Sequence, residues 1–336
     1  MTPLPLDPPC APTWAGPALD ALLDRVAVTR TEVGDRFPLF ADPDSGAWTT
    51  TGRGSWTGGF WAGLLWLRAR RSGEIADLTA ARTCTDRLTH WSQADTAARG
   101  LILWYGTVFA EREQRDAIRA EAARACLGSF ERELGIVPWG SAFGGPRLVA
   151  RVDGVPGMVP LLATVDPDAA RSHLRTHLRL CLGDGPPHWS WQPTPGTGWT
   201  ALADPPSGWS RGPAWLLLAA TEGVRHANEP ELACLVGQLT DPRLIPLADA
   251  TRVDGPVDTS AAAITALALL TLSRTERALP ILERLVKEHL TDTGRLLDGC
   301  YDLHGGTAVR HELVWGTFFL AYALALLTGL AGPEDI

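Results

Sequence analysis

The sequence predicts an all-α protein, an (α/α)6 barrel of six helical hairpins. Three observations lead there. Segments rich in Gly, Ala, Leu and Trp alternate along the chain with amphipathic segments that carry Arg and Glu on one face. A helix that is apolar all round has to be buried on both sides, whereas an amphipathic one covers it from outside. The connections alternate as well: each apolar segment passes to the next polar one through a tight turn such as Arg71-Ser72-Gly73-Glu74, and the return connections are mostly long. Loops beyond about a dozen residues are uncommon in compact domains and tend to be functional, and this alternation gathers them at one end of a ring.

The elements follow in chain order. Residues 1–14 hold Pro3, Pro5, Pro8, Pro9 and Pro12, too many for a helix interior, and are expected to form an extended arm. Residues 15–336 are expected to form one domain, since no linker-like run divides them. Outer helices are expected near Pro17, Ile75, Glu111, Asp166, Glu229 and Ser273; Pro17 sits in a first turn, where its missing N–H costs nothing. Inner helices are expected near Gly58, Ala98, Pro156, Arg211, Asp258 and Leu313. Residues 261–270 are apolar almost throughout and small enough for close approach, whereas residues 277–289 alternate Leu or Ile with Glu, Arg and Lys. The long return loops are residues 42–57, 129–155, 183–210, 241–257 and 291–312, with 92–97 a short exception.

A net charge of −8 argues against a nucleic-acid footprint. Met1-Thr2-Pro3-Leu4-Pro5 has no basic n-region, and no apolar run approaches the ~20 residues of a membrane span. Cys10, Cys84, Cys126, Cys181, Cys234 and Cys300 are dispersed with no C-x-x-C pair, the pattern of reduced, buried thiols in a cytoplasmic protein. The expected partner is a small molecule rather than nucleic acid or membrane, and the expected state a monomer or homodimer. The 14 Trp combine large apolar faces with single donors, which suits both core packing and stacking on sugar rings.

Three inner helices open with related words: Trp56-Thr57-Gly58-Gly59-Phe60-Trp61, Trp209-Ser210-Arg211-Gly212-Pro213-Ala214-Trp215 and Trp315-Gly316-Thr317-Phe318-Phe319. Each sets a Trp and a Gly at the barrel mouth, where free helix N–H groups favour an anion. Arg211 could offer its planar fork to a substrate carboxylate or lie in an ion pair with Asp258. Trp139 precedes Asp153 in the third loop and could wall it. His304 and His311 lack the partners of a metal site, and neither metal nor cofactor is expected.

The segment Trp56-Thr57-Gly58-Gly59-Phe60-Trp61-Ala62-Gly63-Leu64-Leu65-Trp66-Leu67 resembles the first-helix signature of the unsaturated glucuronyl hydrolases, glycoside hydrolase family 88. Val152-Asp153-Gly154, Trp209-Ser210-Arg211-Gly212, Asp258-Thr259-Ser260-Ala261 and Trp315-Gly316 agree in the same order. The resemblance implies an (α/α)6 barrel and a hydrolase of 4,5-unsaturated uronyl saccharides. It makes Asp153 the general acid and base: the carboxyl would protonate C4, activate water for addition at C5, and leave a hemiketal that opens and expels the leaving sugar. Such an Asp needs a raised pKa, which burial among Trp residues and a second carboxylate would supply. Asp95, in Gln93-Ala94-Asp95-Thr96, stands where the family has its His-Asp pair and is the candidate second carboxylate; helix capping is the other reading of both aspartates. His188 matches a family His that contacts substrate, and His304 and Thr307 lie in a loop resembling the family's uronate-carboxylate segment. The chain departs from the family at Ala94, at Ala201 in place of a Gln, at Thr317 in place of an Asp, and in lacking the Asn after Asp153. Two other readings stay open: a scaffold recruited to hydrate, dehydrate or cyclise another small molecule, and a sugar-binding relic without turnover.

Overall fold

The computed structural model describes residues 11–196 and 198–335. Most of the expected arm, and Cys10, therefore lie outside the described residues. The helices, in chain order, are α1 (Ala15–Val33), α2 (Gly58–Ser72), α3 (Ile75–Asp86), α4 (Gly100–Trp104), α5 (Arg112–Gly128), α6 (Met158–Ala163), α7 (Pro167–Cys181), α8 (Arg211–His226), α9 (Val236–Leu239), α10 (Thr259–Thr271), α11 (Thr275–Arg284) and α12 (Val314–Thr328). The even-numbered helices follow the apolar words, and they close a ring: α2 packs on α4, α4 on α6, α6 on α8, α8 on α10, α10 on α12, and α12 on α2. Each outer helix packs against one or two members of that ring. The chain is an (α/α)6 barrel.

Aromatic side chains fill the interior of the ring and the layer between its helices and the outer ones. Trp66, Trp215, Trp315, Phe60, Phe318 and Phe319 are buried, and Phe60 meets Phe318 and Phe319 at 5.3 and 5.2 Å between ring centroids. The buried area of such rings is a major part of core stabilisation. Where α4 approaches α6 the helices differ from simple α geometry. Helix α4 is a π-helical turn, and Gly100 at its start lies so close to α6 that a Cβ there would stand 2.3 Å from Met158 N. Gly157, at φ +73°, answers from the other side, where a Cβ would meet Gly100 O at 2.4 Å.

Two features depart from the periodicity. The outer helix expected near Glu229 is only a 3-10 turn, Pro230–Leu235, running into the four residues of α9. Gly237 and the Asp241-Pro242 stop leave little sequence with helix propensity there. The long loops also hold seven short strands, β1 (Phe37–Ala41), β2 (Trp48–Thr51), β3 (Ala150–Arg151), β4 (Ser190–Thr194), β5 (Gly198–Ala201), β6 (Gly299–Asp302) and β7 (Thr307–Leu313), in sheets ordered β2-β1-β7-β6 and β3-β4-β5. These strands stitch neighbouring loops. Phe40 pairs with Leu313 between the first and sixth loops, Ala150 with Trp191 between the third and fourth, and isolated bridges join Thr96 to Gly140 and Trp209 to Asp249. Cys84, Cys126, Cys181 and Cys300 are free and buried, but Cys234 is exposed, because its helix has shrunk to a turn on the surface.

Candidate active site

Asp153 occupies the 3-10 turn Val152–Gly154, between β3 and α6. That turn is fixed from several sides. The Val152 N–H donates to Trp189 O at 2.9 Å, and Gly157 opens α6 from the left-handed region. Glu222, from α8, accepts the Gly157 N–H at 2.9 Å and the Tyr105 hydroxyl at 2.6 Å. Burial pushes the Glu222 carboxyl up to about 8.

Above this turn lies a cavity of about 880 Å³ whose wall takes residues from five of the six loops. Trp56, Trp139, Phe143, Trp209 and Tyr301 supply broad aromatic faces, and Trp215 lines it from α8. The Trp56 indole N–H points to the Tyr301 hydroxyl at 3.5 Å, and its ring packs on Trp315 at 4.9 Å. The carboxylates, guanidiniums and imidazole on the wall belong to Asp153, Asp204, Asp249, Asp302, Arg151, Arg211 and His304.

The Asp153 side chain is 16% exposed and bound by Arg151, whose Nε donates to Oδ1 at 2.9 Å and Oδ2 at 3.2 Å. The Arg151 guanidinium also lies over the Trp139 ring, 5.1 Å from its centroid, and reaches Asp204 at 3.5 Å. Burial would lower the Arg151 pKa, but attraction to Asp153 and Asp204 outweighs it and holds the pKa above its ordinary value. Thus the second carboxylate near Asp153 is Asp204, linked through Arg151.

Asp95 is not on the cavity wall. Its carboxylate accepts from Ser141 N and Oγ at 3.1 and 2.9 Å and pairs with Arg147 at 3.2 Å, so it fastens the third loop instead. His188, just ahead of β4, also lies off the wall, edge-on to Trp191 at 5.7 Å. Arg211 does reach the wall but is 4% exposed. Its Nη1 serves Asp258 at 2.7 Å and the Cys300 carbonyl, and its Nη2 donates to Tyr301 O at 2.6 Å. It braces loops four to six, and Trp209 and Trp315 lie 5.0 and 5.6 Å from its guanidinium carbon. Trp56, Trp139, Trp209, His304 and Thr307 all line the cavity. His304 Nε2 faces Asp249 at 3.3 Å. The Asp249 carboxyl is lowered: burial raises it, but bonds from Thr251 and His304 prevail. Among the described residues no group of His, Cys, Asp and Glu could hold a metal ion. Thr317 is buried in α12, away from the wall.

The sequence reading missed Arg151, Asp204, Asp249 and Glu222. For Arg151 a signal was present. Arg151 stands two residues before Asp153, at the point where the strand Ala150–Arg151 gives way to the turn, so the two side chains are close along the chain.

No family model matches the chain. An unsaturated glucuronyl hydrolase of Bacillus sp. (strain GL1) is 23% identical over 367 residues, spanning 91% of this chain and 96% of that protein. The chain is thus similar to an unsaturated glucuronyl hydrolase over nearly the full length of both. Solved structures agree in fold. The Bacillus sp. GL1 unsaturated glucuronyl hydrolase, responsible for the degradation of glycosaminoglycan, superimposes with a TM-score of 0.80 at 20% identity, over 95% of this chain and 98% of that one. The Streptococcus agalactiae enzyme gives a TM-score of 0.80 at 15% identity, over 98% and 97%. An unsaturated glucuronyl hydrolase specific for heparin gives 0.79 at 19% identity, over 93% and 96%.

Proposed function

We propose that the protein is a hydrolase of 4,5-unsaturated uronyl saccharides, acting by hydration of the C4=C5 enol ether. The observation that carries this reading is Asp153, largely sheltered on the wall of an aromatic cavity in the barrel of an unsaturated glucuronyl hydrolase relative. In the reaction Asp153, protonated, gives its proton to C4. Its carboxylate then takes a proton from water as the hydroxyl adds to C5, and the hemiketal opens to release the leaving sugar. A positioned acid–base group of this kind contributes about a hundred- to ten-thousandfold. Trp56, Trp139 and Trp209 would stack on the sugar faces, and His304 and Thr307 would border its far end. The part of Asp95 is to hold the loop that carries Trp139 and Phe143. The S. agalactiae relative has been solved with dGlcA-GalNAc6S, which supports a small saccharide as substrate class. The dispersed thiols support a reducing, cytoplasmic setting.

A second reading has its own support. Four aspartates face the cavity against two arginines, one of them fully engaged by Asp258 and backbone carbonyls, so the wall suits a less anionic molecule than a sulfated saccharide. Under that reading the scaffold hydrates another enol ether with the same Asp153. The test is incubation of wild type and Asp153→Asn with a panel of unsaturated glucuronyl disaccharides, following loss of the ultraviolet absorbance of the conjugated alkene. Loss with wild type alone is expected. No loss across the panel would sink the glucuronyl assignment and favour the second reading.

A further inference from the structure

Of the two arginines on the cavity wall, Arg211 is occupied. Its Nη1 serves Asp258 and a carbonyl and its Nη2 a second carbonyl, with the side chain almost wholly buried. Arg151 is arranged differently. Its Nε edge holds Asp153, while its Nη1 has only a 3.5 Å contact to Asp204, whose side chain is 89% exposed. No hydrogen bond is made by its Nη2 among the described residues. The guanidinium plane is steadied by the Trp139 ring beneath it. A planar guanidinium can serve two carboxylates at once, one on each edge, and here one edge is full while the other faces the cavity.

We infer that Arg151 is the residue that binds the substrate's carboxylate, through its Nη edge and in place of Asp204. The identity of the sugar rests on the glucuronyl reading; the anion contact does not. The consequence for Asp153 is geometric. A uronate carboxylate on the Nη edge lies one guanidinium away from Asp153, and because that carboxylate is attached to C5, the C4=C5 bond is brought to the acid. The assignment moves carboxylate recognition from the sixth loop, where Thr307 stands, to the strand that leads into the acid.

The test is calorimetric binding of D-glucuronate and of its methyl ester to wild type, Arg151→Gln, Arg151→Lys and Thr307→Ala, with each variant's fold checked by circular dichroism. Wild type is expected to bind the acid about ten- to a hundredfold tighter than the ester, as befits a charge-assisted pair. Arg151→Gln removes that ratio, Arg151→Lys keeps part of it, and Thr307→Ala leaves it in place. A ratio unchanged in Arg151→Gln, a ratio of one in wild type, or a loss carried by Thr307→Ala overturns the inference. If Arg151→Gln fails to fold, Arg151→Lys decides: it keeps the charge and loses the fork, and an undiminished ratio counts against the assignment. Disaccharide turnover by wild type reports separately on the glucuronyl reading. Turnover with no Arg151-dependent ratio leaves that reading standing and removes this one; an Arg151-dependent ratio without turnover does the reverse.

Discussion

Glu222→Gln tests whether the barrel carries a protonated carboxyl beneath the turn that holds Asp153. Burial lifts the Glu222 carboxyl from the ordinary 4.5 to about 8, although the bonds from Tyr105 and Gly157 pull the other way. The folded protein therefore keeps a proton between those two values that the unfolded chain has lost. Stability then falls as pH rises, because the native state binds more protons than the unfolded one. The contribution is fully present below the unfolded value and is lost as pH climbs through the folded one. Each pH unit inside the window costs about 1.4 kcal/mol, so between pH 5 and pH 8 wild type should lose about 3 kcal/mol through this one group. Glutamine keeps the shape: its carbonyl can accept from Gly157 N–H and its amide can donate to the Tyr105 oxygen, and it never ionises. The assay is urea unfolding followed by Trp fluorescence at pH 5, 6, 7 and 8. Subtracting wild type from variant removes the other titrating groups, and the difference should grow with pH by about 3 kcal/mol in favour of the variant. A difference that is flat across the window, or that falls, would refute the reasoning.

Other outcomes follow from the same structure. Arg211→Met strands the fully buried Asp258 without its cation and should cost about 3–5 kcal/mol in chemical denaturation; a loss below about 1 kcal/mol would mean that Asp258 finds another partner. Gly100→Ala places a Cβ 2.3 Å from Met158 N and 2.5 Å from Pro156 O, both backbone atoms. It should cost about 1–3 kcal/mol and lower activity by shifting the turn of Asp153, measured by melting and by turnover together. Asp95→Asn, on a carboxylate engaged by Ser141 and Arg147, should reduce turnover by less than about tenfold, against about a hundredfold or more for Asp153→Asn; equal losses would return Asp95 to the reaction. In the folded protein a thiol reagent should label Cys234 and spare Cys84, Cys126, Cys181 and Cys300, whose thiols burial pushes up to about 11 or 12, as peptide mapping would show.

The barrel was legible in the sequence because burial leaves a one-dimensional trace. Residues 261–270 are apolar on every side, and such a helix has one place to go, inside a ring of others. The Trp-Gly words marked the helix starts at the mouth, and Asp153 became a candidate through five words in one order, Val152-Asp153-Gly154 among them. The loop strands left a weaker trace, since two to seven residues give little periodicity and their partners lie far away in sequence: Phe40 finds Leu313. Side-chain pairing left none. Arg211 could have faced a substrate or Asp258, and only the approach of α10 and β6 to α8 decided for Asp258 and two carbonyls. Asp95 matched a motif, but the third loop folded over it and supplied Ser141 and Arg147. Which carboxylate meets which cation depends on distances of a few ångströms between segments remote in sequence, because charge–charge and hydrogen-bond energies fall away over that range. Composition and periodicity therefore determined the ring and its working end, while tertiary packing alone decided which charges remain open to a ligand.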